Sequence, residues 1–130
     1  MDPVDTSAET VTAEAVRVLM RTGARFAYRH GSSVTGMAGQ ARDIDIAAYF
    51  GGRDAPQAFE VLLPPGVDLL VLEHAPLEVA GRVATTGELL FEADPAARVR
   101  WEALTRKIYF DELPRMQRAH REFTAGVRRG

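Results

Sequence analysis

Residues 43–50, Asp43-Ile44-Asp45-Ile46-Ala47-Ala48-Tyr49-Phe50, alternate with a period of two. Side chains on an extended strand point to opposite faces in turn, so Ile44, Ile46 and Ala48 share one face and Asp43, Asp45 and Ala47 the other. The isoleucine face is expected to take the core. A chain with such a strand must place it in a sheet with a layer packed against it, while two carboxylates emerge together on the opposite side.

The rest of the chain mixes the two periodicities. Val16, Leu19 and Met20 recur at helical spacing over about 9–22, behind the capping candidates Ser7 and Thr10 and ahead of Gly23. Arg25 to His30 alternates as a strand and runs into the turn Gly31-Ser32-Ser33. Ala55 to Leu63 fits either period, and a helix is the favoured reading. Val67-Asp68-Leu69-Leu70-Val71-Leu72-Glu73 is an almost continuous apolar run, expected to be a strand buried on both faces, which makes Asp68 unusual. Pro76 is placed to start a helix that ends near Thr86 before Gly87, and Glu88 to Glu92 reads as a short edge strand. Asp94-Pro95 then caps a long helix carrying Val99, Trp101, Leu104, Ile108 and Tyr109, which Pro114 is expected to kink or split before it frays near Gly126. Interleaved strands and helices of this kind predict an α/β or α+β sandwich, with a three- to four-stranded mixed sheet, helices packed on it and a C-terminal helical tail.

At 130 residues the chain fits one domain, with a core over about 9–92 and the tail over about 94–126. The absence of cysteine excludes disulfides and thiolate metal sites, and the scattered His30, His74 and His120 argue against structural zinc. Carboxylate oxygens remain as ligands, which favours a hard cation such as Mg²⁺. No apolar run approaches a membrane span, and Met1-Asp2-Pro3-Val4-Asp5 has no signal-peptide character, so a cytoplasmic location without membrane contact is expected. The net charge of −2 is uneven: residues 1–97 hold 7 Lys/Arg against 14 Asp/Glu, and residues 98–130 hold 9 against 4. The basic tail reads more simply as a solvated helix face than as a nucleic-acid surface, and nucleic acid is not an expected partner.

The chemistry concentrates in Gly31 to Asp45, which has the form G-S, ten residues, D-x-D. On a strand the Cα atoms of Asp43 and Asp45 stand roughly 6.6 Å apart with side chains on one face, so both carboxylates can hold one cation or bridge two. The turn at Gly31 lets backbone approach a phosphate, to which the Ser32 hydroxyl and nearby amides can donate. Alone, a D-x-D is usually an exposed strand edge and a G-S only a turn. Their joint occurrence at element ends, with Asp68 interrupting a further apolar strand, favours a phosphate-and-metal site. Glu73, at the other end of that run, is the weaker candidate for a third carboxylate.

This segment resembles the signature of the nucleotidyltransferase superfamily related to DNA polymerase beta, and the chain resembles its minimal members, the MntA-type antitoxins. The likeness extends from about Val16 to Phe123. It takes in Gly36, the Ile44-Asp45-Ile46-Ala47 strand, Val67-Asp68-Leu69, Ala75-Pro76-Leu77, Gly87-Glu88-Leu89-Leu90-Phe91, and Tyr109-Phe110-Asp111 with Pro114. Arg42 stands where a serine often precedes the first aspartate, and His30 where an aromatic usually precedes the glycine.

The resemblance implies a nucleotidyltransferase fold in which Gly31 and Ser32 hold the β- and γ-phosphates, with Ser33 and Arg42 completing the nucleotide-binding set. Asp43, Asp45 and Asp68 would ligate Mg²⁺, and Asp68 would accept the proton of the attacking hydroxyl. Relatives that modify antibiotics carry an extra helical domain around the acceptor, whereas this chain has one helical tail. The resemblance therefore implies a macromolecular acceptor: a HEPN-fold, HepT-type RNase toxin, silenced in a type VII toxin–antitoxin system when AMP from ATP is added to a tyrosine. The alternatives are an antitoxin that acts by occlusion and a free-standing enzyme acting on a small molecule or a nucleic acid end.

Overall fold

The computed structural model describes residues 7–31, 44–52 and 54–129. Its elements are α1 (Ala8–Thr22), β1 (Phe26–His30), β2 (Ile44–Tyr49), β3 (Val67–Val71), α2 (Leu77–Thr86), β4 (Glu88–Glu92) and α3 (Pro95–Arg129), with 3₁₀ turns at Ala58–Glu60 and Leu72–His74. The four strands form one mixed sheet in the order β3-β2-β1-β4. β1 pairs antiparallel with both β2 and β4, and β2 pairs parallel with β3. Strand β4 lies at an edge, in keeping with its shortness and charged ends.

Two helical layers enclose the sheet. Ser7 caps α1 by accepting from the Thr10 amide, and Gly23 ends it with φ +99°. Helix α1 sets Ala15 and Leu19 against Ala27, Ile44, Ile46 and Ala48. Met20, expected on that stripe, is 53% exposed. The opposite sheet face is just as dry: Phe26, Tyr28 and Ala47 are buried with Leu72 and Val83, and Trp101 packs onto them from α3. The core therefore takes both faces of β2 and not the isoleucine face alone. Alternation hid this because the inward residue on the second face is the small Ala47, whose burial needs a helix above it. Phe26 stacks on Tyr49 with centroids 4.9 Å apart and meets Trp101 at 5.5 Å. Burial of each large side chain there contributes about 1.5–3 kcal/mol, which ties α3 to the sheet. The Tyr28 hydroxyl donates to Glu102, and burial first, then that carboxylate, pushes the phenol well above its usual range.

Three further expectations change. The helix favoured over 55–63 is only the 3₁₀ turn Ala58–Glu60, because Val61 and Leu63, two apart, turn inward while Phe59 and Leu62 face solvent, leaving no apolar stripe at helical spacing to bury. A Glu60 carboxylate oxygen accepts from the Gln57 amide and closes that turn. Strand β3 ends at Val71 and is an edge strand, half-buried along most of its length. Third, α3 is one helix over Pro95–Arg129, so Pro114 inside it does not split it and it continues past Gly126. Pro114 removes one amide, but it lies on the exposed side with Phe110, whose carbonyl would have accepted that bond, so water can replace it. Asp94 caps this helix as expected, its carboxylate accepting from the Ala97 amide at 3.1 Å.

Candidate active site

The C-terminal end of β1 and the N-terminal ends of β2 and β3 meet at one edge of the sheet. In register, His30 lies opposite Asp45, and Asp45 lies beside Asp68. Each stands two positions from an inward residue of the α2–α3 face (Tyr28, Ala47 and Leu70), so the three form a row on that face just beyond the aromatic core. Neighbouring strands stand about 4.8 Å apart, which puts the Asp45 and Asp68 carboxylates within reach of a shared cation. Asp68 is exposed and Asp45 half-buried, so the row opens to solvent at the β3 side.

Gly31 explains why a glycine must follow β1. Its φ is +73°, and a Cβ there would stand 2.6 Å from Asp45 Oδ2. The turn and the carboxylate strand are thus packed against one another, and a side chain at 31 would displace a carboxylate oxygen. Gly31→Ala is expected to cost about 1–2 kcal/mol in thermal unfolding, from the left-handed backbone together with the contact. It should also weaken Mg·ATP binding in calorimetry. Unchanged affinity in a folded Gly31→Ala variant would mean that the Asp45 carboxylate can move without consequence.

Above the row lies a cavity of about 410 Å³ lined by His30, Gly31, Asp45, Val79, Arg82, Val83 and Thr86. Its α2 wall consists of residues three and four apart, one helix face, anchored by the buried Val83. Burial holds the His30 imidazole below its usual value, against the opposing charge of Asp45, and the Arg82 cation lowers it further. A second cavity of about 530 Å³ lies at the open edge of β3. Asp68 lines it together with Phe59 and Leu62, whose side chains are 82% and 86% exposed.

Of the residues the sequence singled out, Gly31, Asp45 and Asp68 come together; Ser32, Ser33, Arg42 and Asp43 lie outside the described residues. Among the described residues no three His, Asp or Glu side chains gather into a metal site. The pair Asp45 and Asp68 nonetheless fits a hard cation in kind, two carboxylates side by side on adjacent strands. Glu73 is elsewhere: one of its oxygens accepts from the Phe50 and Gly51 amides at 2.8 Å each, closing the far end of β2. That leaves Asp68 as the carboxylate beside Asp45. Arg82 and Thr86 do not stand out in the sequence, where they sit in an ordinary amphipathic helix; the one available signal is a lone arginine amid Val79, Ala80, Gly81, Val83 and Ala84.

The family model described as "Polymerase beta, Nucleotidyltransferase" matches residues 15–96, from within α1 to just past β4. The chain belongs to this family. The matched region of this nucleotidyltransferase takes in Gly31, Asp45, Asp68 and α2. No curated protein matches the chain. Among solved structures, it is similar to a chain of a toxin–antitoxin crystal structure with AMP-PNP (TM-score 0.70, 20% identity, covering 86% of this chain and 97% of that one). It is likewise similar to a chain of the MntA–HepT toxin–antitoxin (TM-score 0.67, 18% identity, covering 89% and 98%). A third likeness is to a chain of the tri-AMPylated Shewanella oneidensis HEPN toxin in complex with MNT antitoxin (TM-score 0.57, 18% identity, covering 87% and 98%). At these identities the likeness is one of fold.

Proposed function

We propose that the chain is the antitoxin of a two-component pair, a Mg²⁺-dependent adenylyltransferase that moves AMP from ATP to a tyrosine of a HEPN-fold, HepT-type toxin in the cytoplasm. The observation that carries this reading is the alignment of Asp45 with Asp68 on neighbouring strands, with the Gly31 turn packed on the Asp45 carboxylate. The similarity to chains of toxin–antitoxin complexes over nearly their whole length supports the choice of partner.

In this reading Asp45 and Asp68, with Asp43, hold Mg²⁺, and the bound ion supplies charge neutralisation at the reacting phosphate. Gly31 with Ser32, Ser33 and Arg42 holds the triphosphate. Asp68, the exposed member of the pair, takes the proton of the tyrosine hydroxyl as it attacks the α-phosphorus and pyrophosphate leaves. Catalysis then rests on positioning and fixed charge, with no covalent intermediate on the protein. The open β3 edge is the side from which a protein acceptor reaches Asp68, and Phe59 and Leu62 offer it apolar surface there.

The test is to incubate the chain with ATP, Mg²⁺ and the toxin from the same operon and to weigh the toxin by mass spectrometry. The toxin should gain one or more AMP units and lose RNase activity, with both changes abolished by chelator. Neutralisation of the toxin without a mass change would support occlusion and overturn the transferase reading.

A further inference from the structure

We propose that Arg82 of α2 is a phosphate ligand of this site, contacting the triphosphate from the α2 wall of the cavity that Asp45 also lines. The inference rests on the nucleotidyltransferase reading above and adds to it a residue outside the G-S and D-x-D segment.

Arg25 pairs with Asp94, Arg29 with Glu88, Arg98 with Glu92 and Glu102, and Arg115 with Glu112. Arg106, one helix away from Arg82, pairs with Glu102 and also donates to the Ala84 carbonyl. Arg82 has no carboxylate within ion-pair distance among the described residues, although it lines a cavity with Asp45 as a neighbour. Its charge is felt in the cavity, since it disfavours protonation of His30 across the opening.

The cavity is thus polarised. The Asp45 carboxylate on β2 forms one side, suited to a cation, with Asp68 beside it in register on β3, and a guanidinium on α2 forms another, suited to an anion. A magnesium-bound triphosphate has this same distribution of charge. Arginine is the side chain whose planar fork of donors matches phosphate oxygens in pairs, and it stays charged at any physiological pH. An adenine or a ribose would leave that charge unanswered. The two residues beside it keep the side chain at the opening: Gly81 is packed tightly on Tyr109, and Val83 is buried in the core. The Thr86 hydroxyl, one turn on, donates to the Arg82 carbonyl and leaves the guanidinium uncommitted.

The test is calorimetric titration of the full chain with a non-hydrolysable ATP analogue, with ADP and with AMP, in Mg²⁺. Parent, Arg82→Gln, Arg82→Lys and Asp45→Asn are compared. Because Arg82 is exposed, Arg82→Gln should melt with the parent. It should bind the triphosphate ten- to a hundredfold more weakly, the range for hydrogen bonds to charged groups, with a smaller loss for AMP and a partial recovery in Arg82→Lys. Parental triphosphate affinity in Arg82→Gln, with affinity lost in Asp45→Asn, would overturn the role of Arg82 and leave the nucleotide site standing. An equal loss for AMP and triphosphate would also overturn it, since it would point to a general disturbance of the cavity. If neither variant alters binding, or the parent binds no nucleotide, the site reading fails and this inference fails with it.

Discussion

Asp45→Asn should lower nucleotidyl transfer on the order of 10³-fold or more while leaving a folded protein. The substitution keeps shape and volume but removes one of two carboxylate charges that stand side by side on β2 and β3. A metal ion contributes several kcal/mol to stabilising the charge of a phosphoryl-type transition state, and each 1.36 kcal/mol is tenfold in rate. In the proposed site, removing one of the carboxylates that would hold the ion therefore weakens the strongest source of that stabilisation. The fold should tolerate the change, because like charges on adjacent strands oppose pairing by about 0.2–1 kcal/mol, and removing one relieves this. A second readout separates metal binding from catalysis. A ligand that binds only the native state raises stability by RT ln(1 + [L]/Kd), so Mg·ATP should raise the parent's melting temperature and leave that of Asp45→Asn unmoved. Transfer at the parental rate in Asp45→Asn would remove Asp45 from the metal site.

How much of this is legible in the sequence depends on which neighbours a residue's role requires. The cap at Ser7, one of two candidates with Thr10, the stop at Gly23, the strand within 43–50 and the cap at Asp94 are local, decided by side chains within a few positions, and they can be read from the sequence. So can the alternation that puts Asp45 on a face apart from Ile44 and Ile46. The pairing of Asp45 with Asp68 is legible only in outline: two acidic residues in two apolar strands suggest a meeting, but the parallel register that aligns them belongs to the sheet. Strand β3 misleads because a run of apolar residues looks the same in a central strand and at an edge half-covered by helices. Glu73 shows the same limit from the other side. Its two backbone donors, Phe50 and Gly51, are more than twenty positions away, and no pattern near Glu73 announces them.

The α2 wall is the least legible part of the site. Arg82 and Thr86 lie in a helix whose spacing is fully accounted for by Ala80, Val83 and Ala84 on the core. Only the tertiary placement of α2, packed on α3, shows that its next face lines one cavity with Asp45.

Gly81 sets that packing, and its substitution is expected to have the largest effect on stability. A Cβ at 81 would stand 2.2 Å from Cγ and Cδ1 of Tyr109 and 2.8 Å from its Cβ. These atoms lie near the root of the Tyr109 side chain, so no rotation of the ring alone clears them, and α2 must move away from α3. Overpacking of this kind costs about 1–3 kcal/mol, whereas alanine in place of glycine gains up to about 1 kcal/mol from helix propensity. Gly81→Ala should therefore be destabilised by as much as about 2 kcal/mol. Gly81→Val, larger and stiffer at χ1, should lose about 3 kcal/mol, roughly 10 °C in melting temperature for a chain of this size. Tyr109→Ala leaves a gap of its own, but combined with Gly81→Val it should cost much less than the two losses added, since each change answers the other. Because Arg82 is the next residue along, the displacement of α2 should also widen the cavity and weaken triphosphate binding in Gly81→Ala even where the protein remains folded. A Gly81→Ala variant that melts above the parent would show that helix propensity outweighs the contact, and that α2 is not held at its height by Tyr109.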